Sequence, residues 1–197
     1  MEVKEPEVAY GMQRMSIGEY LAFESNSKEK HEYYKGEVFA MAGAKIAHNI
    51  IAVNTLTTIK QALKGKPCKP FNSDQRIHIP ENTLFTYPDI SIVCGEIVTL
   101  NKNDEMNIVN PVVLIEVLSR STREYDRFMK FQFYRNIPSL KEYLLIDFES
   151  VNVEAYTITP AGDWEPAIYK NITQSIPIKA IQMQLALSDV YEGIQFA

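Results

Sequence analysis

Hydrophobic and polar positions alternate with several different periods along the chain, and each change of period predicts an element. "SIGE" at residues 16–19 is a capping-box pattern, so a short helix starts there and ends by the polar stretch Ser25 to Lys30. "HEYYKGEVFAMAG" reads as a hairpin turning at Lys35 and Gly36. From Lys45 to Leu63, Ile46, Ile50, Val53, Leu56, Ile59 and Leu63 recur at helical spacing and Gly65 follows as a stop, which predicts a long amphipathic helix buried along that line. Strand-like runs follow at "DQRIHIP", "YPDISIVC" and "PVVLIEVL", then a second helix from about Thr122 to Asn136, then strands at "EYLLIDFE" and "VNVEAYTI". A helix, a cluster of strands, a helix and more strands fit an α/β or α+β fold with a central mixed sheet better than a bundle or a sandwich. Neither a repeat nor a low-complexity linker divides the chain, so residues 1–197 read as one domain, with 1–15 as an N-terminal extension.

Two acids break this pattern. Glu116 stands inside the apolar run "PVVLIEVL", where an unpaired buried charge costs several kcal/mol. Strand parity puts it on one face with Val112, Leu114 and Leu118, while Asp89 in "YPDISIVC" shares a face with Ser91 and Val93. If the two strands pair, like charges come within a few ångströms of each other and need a cation. An all-oxygen carboxylate set suits hard Mg²⁺ or Mn²⁺ rather than zinc.

Composition narrows the function classes. With 197 residues, 46% of them hydrophobic and 23% charged, the chain can bury one core and is not disordered in composition. A net charge of −5 argues against coating nucleic acid by bulk electrostatics, which leaves local basic patches. One patch is "KQALKGKPCKP", with four lysines and no acid; the other lies between residues 120 and 135. There Arg123, Arg127, Lys130 and Tyr134 share a helical stripe directly after the strand that bears Glu116, either as a solvated face or as phosphate contacts. Cys68 and Cys94 are too few for a disulfide framework and lack metal-ligand spacing, which suggests reduced thiols in a reducing, cytoplasmic setting. No signal-peptide h-region and no run long enough to span a bilayer is present, so the expectation is a soluble protein without a membrane partner.

Taken in order, "YPDISIV", Glu116 in "VVLIEVLS", "YDRFMKFQFY" and "EYLLID" resemble the Uma-two family of proposed endonucleases, long catalogued as a domain of unknown function. That family belongs to the restriction-endonuclease-like PD-(D/E)XK superfamily, and the resemblance runs roughly from Ser16 to Tyr191. It implies a restriction-endonuclease-like core and metal-assisted hydrolysis of DNA phosphodiester bonds. Pro88 and Asp89 match the PD and Glu116 the second acid, but Leu118 stands where a lysine is usual, and Lys130 in "RFMKF" matches a lysine that has migrated to the following helix.

On this resemblance Asp89, Glu116 and Lys130 are the catalytic residues, and Asp89, Glu116 and the backbone carbonyl near Val117 hold Mg²⁺ or Mn²⁺. Lys130 stabilises charge rather than acting as a base, because nearby acids keep it protonated. Glu32 and Glu37 in the hairpin are candidates for a further carboxylate, His48 and Gln75 for accessory contacts, and Arg123 and Arg127 for DNA contacts. For Glu32, Glu37, His48 and Gln75 an ordinary surface or structural role competes. DNA is the expected partner; a homodimer or higher homo-oligomer stays open. Two other readings stay open as well: a catalytically inactive nuclease-fold binding or regulatory protein, favoured by Leu118, and a metal-free glycosidase using Asp89 and Glu116 as acid and base.

Overall fold

The computed structural model describes residues 14–120 and 122–196, so the N-terminal extension assigned to residues 1–15 lies, up to residue 13, outside the described residues. Helix α1 (Ile17–Asn26) opens on the expected capping box: Glu19 N–H donates to Ser16 Oγ at 3.3 Å and Ser16 N–H to Glu19 Oε2 at 2.8 Å. Strands β1 (His31–Tyr34) and β2 (Glu37–Ala40) form the hairpin. Its two turn residues, Lys35 and Gly36, both have positive φ, at 47° and 96°, the backbone that suits a two-residue turn between twisted strands.

Helix α2 (Ile46–Ala62) occupies the predicted span but turns a different face inward. His48, Ile51, Thr55 and Ile59 are buried, whereas Ile46 is 80% and Val53 61% exposed. The helix carries apolar residues around much of its circumference, so spacing alone supports more than one stripe. Packing against the sheet selects the line through Ile51 and Ile59, with Ala47, Ala52 and Leu56 at its margins.

The chain continues through β3 (Cys68–Asn72), β4 (Arg76–Ile79), β5 (Leu84–Thr86), β6 (Ile90–Cys94), β7 (Asn107–Ile108) and β8 (Val113–Leu118). A π-helical turn, Tyr125–Lys130, runs into the short α3 (Phe131–Tyr134), and β9 (Glu142–Asp147), β10 (Val153–Ile158) and β11 (Trp164–Tyr169) follow. The hairpin strands β12 (Ser175–Ile178) and β13 (Met183–Ala186) and helix α4 (Leu187–Val190) complete the described chain. Strand order in the main sheet is β11-β10-β9-β8-β6-β3, with β8 and β9 parallel and the other neighbours antiparallel. A second sheet runs β2-β1-β5-β4-β7. This is the mixed α+β architecture with a central mixed sheet flanked by helices that the element order predicts.

Strand β8 is buried at all six positions, which explains its near-continuous apolar sequence. Its Val113, Ile115 and Val117 pack with Ile51 and Ile59 of α2 and with Ile176, Leu185 and Leu187 of the C-terminal segment, which thereby completes the core. On the opposite face Leu114 and Leu118 pack with Tyr134, Tyr143 and Leu145. Because side chains alternate, Glu116 belongs to this second face, beneath the helical crossover from β8 to β9.

One expectation from the cysteines is corrected. Cys68 and Cys94 oppose each other in the β3–β6 ladder, with Cα atoms 3.9 Å apart, and are joined by a disulfide. Twenty-six residues of sequence separate them, and only the strand pairing brings them together. The argument from cysteine count to a reducing compartment loses its premise. Among the described residues, no helix is long and apolar enough to cross a membrane.

Candidate active site

The β6–β8 ladder pairs Ile90 with Ile115, so Asp89, just before β6, stands across from Glu116. Asp89 N–H donates to Glu116 Oε2 at 3.2 Å, and Val117 N–H donates to Asp89 Oδ2 at 2.7 Å. The two acids that interrupt two apolar strands therefore meet at one end of the ladder.

Lys130 reaches the same point from the π-helical turn. Its Nζ lies 3.1 Å from Glu116 Oε1, 3.2 Å from Glu32 Oε1 and 3.3 Å from Asp126 Oδ1. Tyr134, one turn further along, donates its hydroxyl to Glu116 Oε1 at 2.7 Å. Glu32 comes from β1 in the second sheet, and the Thr86 hydroxyl at the end of β5 donates to its Oε1. Two sheets and the crossover helix thus each contribute to one cluster, whose Glu32, Glu116, Asp126 and Lys130 are all buried. Leu118, at the usual lysine position, is sealed in the apolar cluster with Leu114 and Leu145.

Burial shapes the electrostatics. It pushes the Glu116 carboxyl well above the carboxylate range, against the pull of Lys130 and with the added repulsion of Asp126 and Asp89. Asp126 is raised for the same reason, again opposed by Lys130. Burial also works to strip the proton from Lys130, yet Glu116, Glu32, Tyr134 and Asp126 outweigh it and hold the ammonium well above the ordinary lysine value. A lysine so held stabilises negative charge and is a poor base.

His48 corrects its reading as a plain helix histidine. In the first turn of α2, it places Nε2 3.2 Å from Asp89 Oδ2, and its Nδ1 is buried without a hydrogen-bond partner among the described residues. Burial lowers its basicity, but the Asp89 carboxylate, Glu116 and the Val117 backbone more than compensate, so its pKa is raised. Glu37 and Gln75 lie apart from the cluster: Glu37 pairs with Arg14 at 3.6 Å, and the Gln75 amide donates to the Met106 carbonyl at 2.6 Å.

The expected cationic stripe does not form a single face. Arg123 Nη2 lies 2.9 Å from Asp147 Oδ1 and 3.2 Å from Glu149 Oε2, and Arg127 donates through Nε to Glu154 at 3.1 Å. Lys130 instead turns into the core, because the wider π-helical turn breaks the α-helical register on which the stripe was drawn. Asp126 was missed by sequence reasoning. Its signal was the spacing of four residues to Lys130, hidden because an acid between Arg123 and Arg127 looks like ordinary surface pairing.

The donor set fits a hard divalent cation. Four carboxyl groups, Glu32, Asp89, Glu116 and Asp126, face two basic side chains, Lys130 and His48, so acidic groups outnumber basic ones, although burial favours the protonated form of Glu116. Among the described residues no three His, Cys, Asp or Glu side chains form a ready metal cage. Mg²⁺ does not require one, since it is commonly held by one or two carboxylates and keeps several waters.

Comparison with known proteins places the chain in a family and a fold. Residues 17–188 match the Uma2 family, described as "Putative restriction endonuclease". The uncharacterised protein slr1290 of Synechocystis sp. is 34% identical over 183 residues, covering 93% of this chain and 94% of that protein. A second uncharacterised Synechocystis protein, sll1609, is 35% identical over 150 residues, covering 76% of this chain and 84% of its own. The crystal structure of "a putative nuclease belonging to DUF820" from Anabaena variabilis superimposes with a TM-score of 0.75 at 17% identity, over 92% of this chain and 99% of that one, a likeness of fold. By the extent of the family match and by the two Synechocystis relatives, the chain belongs to the Uma2 family.

Proposed function

We propose that the protein is a metal-dependent endonuclease that hydrolyses DNA phosphodiester bonds, with Asp89, Glu116 and Lys130 as its catalytic residues. The observation that carries the reading is the meeting of the Lys130 ammonium with Glu116 at 3.1 Å, which supplies from a different backbone the cation that Leu118 cannot. Asp89, Glu116 and the Val117 carbonyl would hold Mg²⁺ or Mn²⁺, which when bound polarises a phosphate oxygen and lowers the pKa of a coordinated water.

The chain's own residues divide the remaining work. Lys130, held as an ammonium, is suited to offset the negative charge that grows on the phosphate oxygens in the transition state. Tyr134 and the Asp89 N–H fix the two oxygens of Glu116, while Val117 N–H and His48 hold Asp89 Oδ2. Such fixed contacts keep the acids aimed without reorganisation during the reaction. Arg123 and Arg127 enter only as residues for which a DNA phosphate would compete with Asp147, Glu149 and Glu154.

A second reading, a nuclease fold retained for binding or regulation alone, draws its support from Leu118. Calorimetry with Mg²⁺ and Mn²⁺ separates the two. The endonuclease reading expects binding by the wild-type protein that disappears in Asp89→Ala; wild-type protein that binds neither ion overturns it.

A further inference from the structure

We infer that Asp126 is a positioning residue that keeps the Lys130 ammonium aimed at the reacting phosphate, an assignment that rests on the endonuclease reading. Asp126 lies on the π-helical turn, is 3% exposed, and places Oδ1 3.3 Å from Lys130 Nζ. Among the described residues, Lys130 is the cation with which its carboxylate forms an ion pair. Among the described residues it makes no hydrogen bond to Asp89 or Glu116; apart from its repulsion of Glu116, it acts on the site through the lysine.

The turn is built to hold this pair. Asp126 N–H donates to the Thr122 carbonyl at 2.8 Å. The buried Tyr143 of β9 donates its hydroxyl to the Asp126 carbonyl at 3.0 Å, pinning the turn to the main sheet. The neighbouring Arg127 is occupied by Glu154, so it does not compete for Asp126. Four residues apart on this segment, Asp126 and Lys130 share one buried face.

The need for such a group follows from Glu116. That carboxylate is shared between Lys130, Tyr134 and the Asp89 N–H. If it also binds a cation, its hold on Lys130 weakens, and a freed four-carbon stem has many rotamers to explore. Asp126 and Glu32 then remain as the anchors of the ammonium, one from its own helix and one from the second sheet.

Two variants test this. Asp126→Asn removes the charge while keeping the shape, and Tyr143→Phe removes only the hydroxyl that pins the Asp126 carbonyl, so it serves if the first variant does not fold. In DNA cleavage with Mn²⁺, Asp126→Asn should lower kcat by up to about 100-fold, the scale of a roughly 1 Å misplacement, with KM and Mn²⁺ affinity nearly unchanged. Tyr143→Phe should lose less in the same direction, and Asp126→Glu should recover part of the loss. In parallel, the nitrogen-15 signal of the Lys130 ammonium should broaden or shift in Asp126→Asn and Tyr143→Phe. A folded variant with unchanged kcat and an unchanged ammonium signal overturns the assignment, as does a loss that falls equally on Mn²⁺ affinity. If the wild-type protein cleaves no DNA, the endonuclease reading fails, while the ammonium signal still decides whether Asp126 orders Lys130.

Discussion

At the residue scale, the site turns on how one ammonium is shared among buried acids. Lys130 is the counterion of Glu32, Glu116 and Asp126, all of them removed from solvent. Removing one partner of a buried ion pair leaves uncompensated charge, at a cost of about 3–5 kcal/mol. Lys130→Ala should therefore lower the thermal midpoint markedly in metal-free buffer, and millimolar Mg²⁺ should restore part of the loss, because a divalent ion can take over the charge. An equal loss with and without Mg²⁺, measured by thermal denaturation, would argue that no cation site remains beside the cluster. Asp89 and Glu116 were legible in the sequence because an acid in an apolar strand demands a partner, and Lys130 through its match to the family's migrated lysine. Asp126 was not, since an acid on a helix flanked by arginines has an ordinary surface explanation. Glu32 and Glu37 could not be told apart, and what separates them is that β1 lies next to β5, which brings Glu32 and Thr86 together, while Glu37 sits on the edge strand with Arg14.

At the element scale, local signals located the elements well and their facing poorly. The capping box at Ser16 and Glu19 and the turn at Lys35 and Gly36 are determined by residues within four positions of each other, and both formed as expected. Facing depends on what packs against an element. Helix α2 carries several candidate apolar lines, and contact with the sheet chose the one that includes His48. The π-helical turn likewise has no period in the sequence that distinguishes it from α-helix, so a stripe drawn at α-helical spacing joined residues that point in different directions. The cysteine pair depended on strand register in the same way. Closing a loop between residues separated by 26 positions contributes about 3.5 kcal/mol by the chain-entropy relation. Protein denatured without reductant should show no free thiol by colorimetric titration, and its denaturant midpoint should fall when the pair is replaced by Cys68→Ser with Cys94→Ser. Two titratable thiols in the unreduced protein would contradict the disulfide.

At the scale of the whole molecule, the main sheet acts as a rigid platform, with β8 at its centre carrying Glu116 and its neighbour β6 preceded by Asp89. The second sheet and the β8–β9 crossover close over one face of this platform and deliver Glu32 and Lys130. Rigid elements rather than loops thus position most of the cluster, which is the arrangement that precise chemistry needs. A net charge of −5 and arginines engaged by acids mean that affinity for DNA cannot rest on a broad basic surface. The charge that matters to the proposed chemistry is local, where the buried acids and Lys130 meet. The most direct measurement is cleavage of duplex, single-stranded and branched DNA by wild-type protein and Asp89→Ala, each with and without Mn²⁺. The account predicts cleavage of at least one form by the wild-type protein, only with the metal, and none by Asp89→Ala; wild-type protein that cuts none of the three, or metal-dependent cutting that persists in Asp89→Ala, would contradict it.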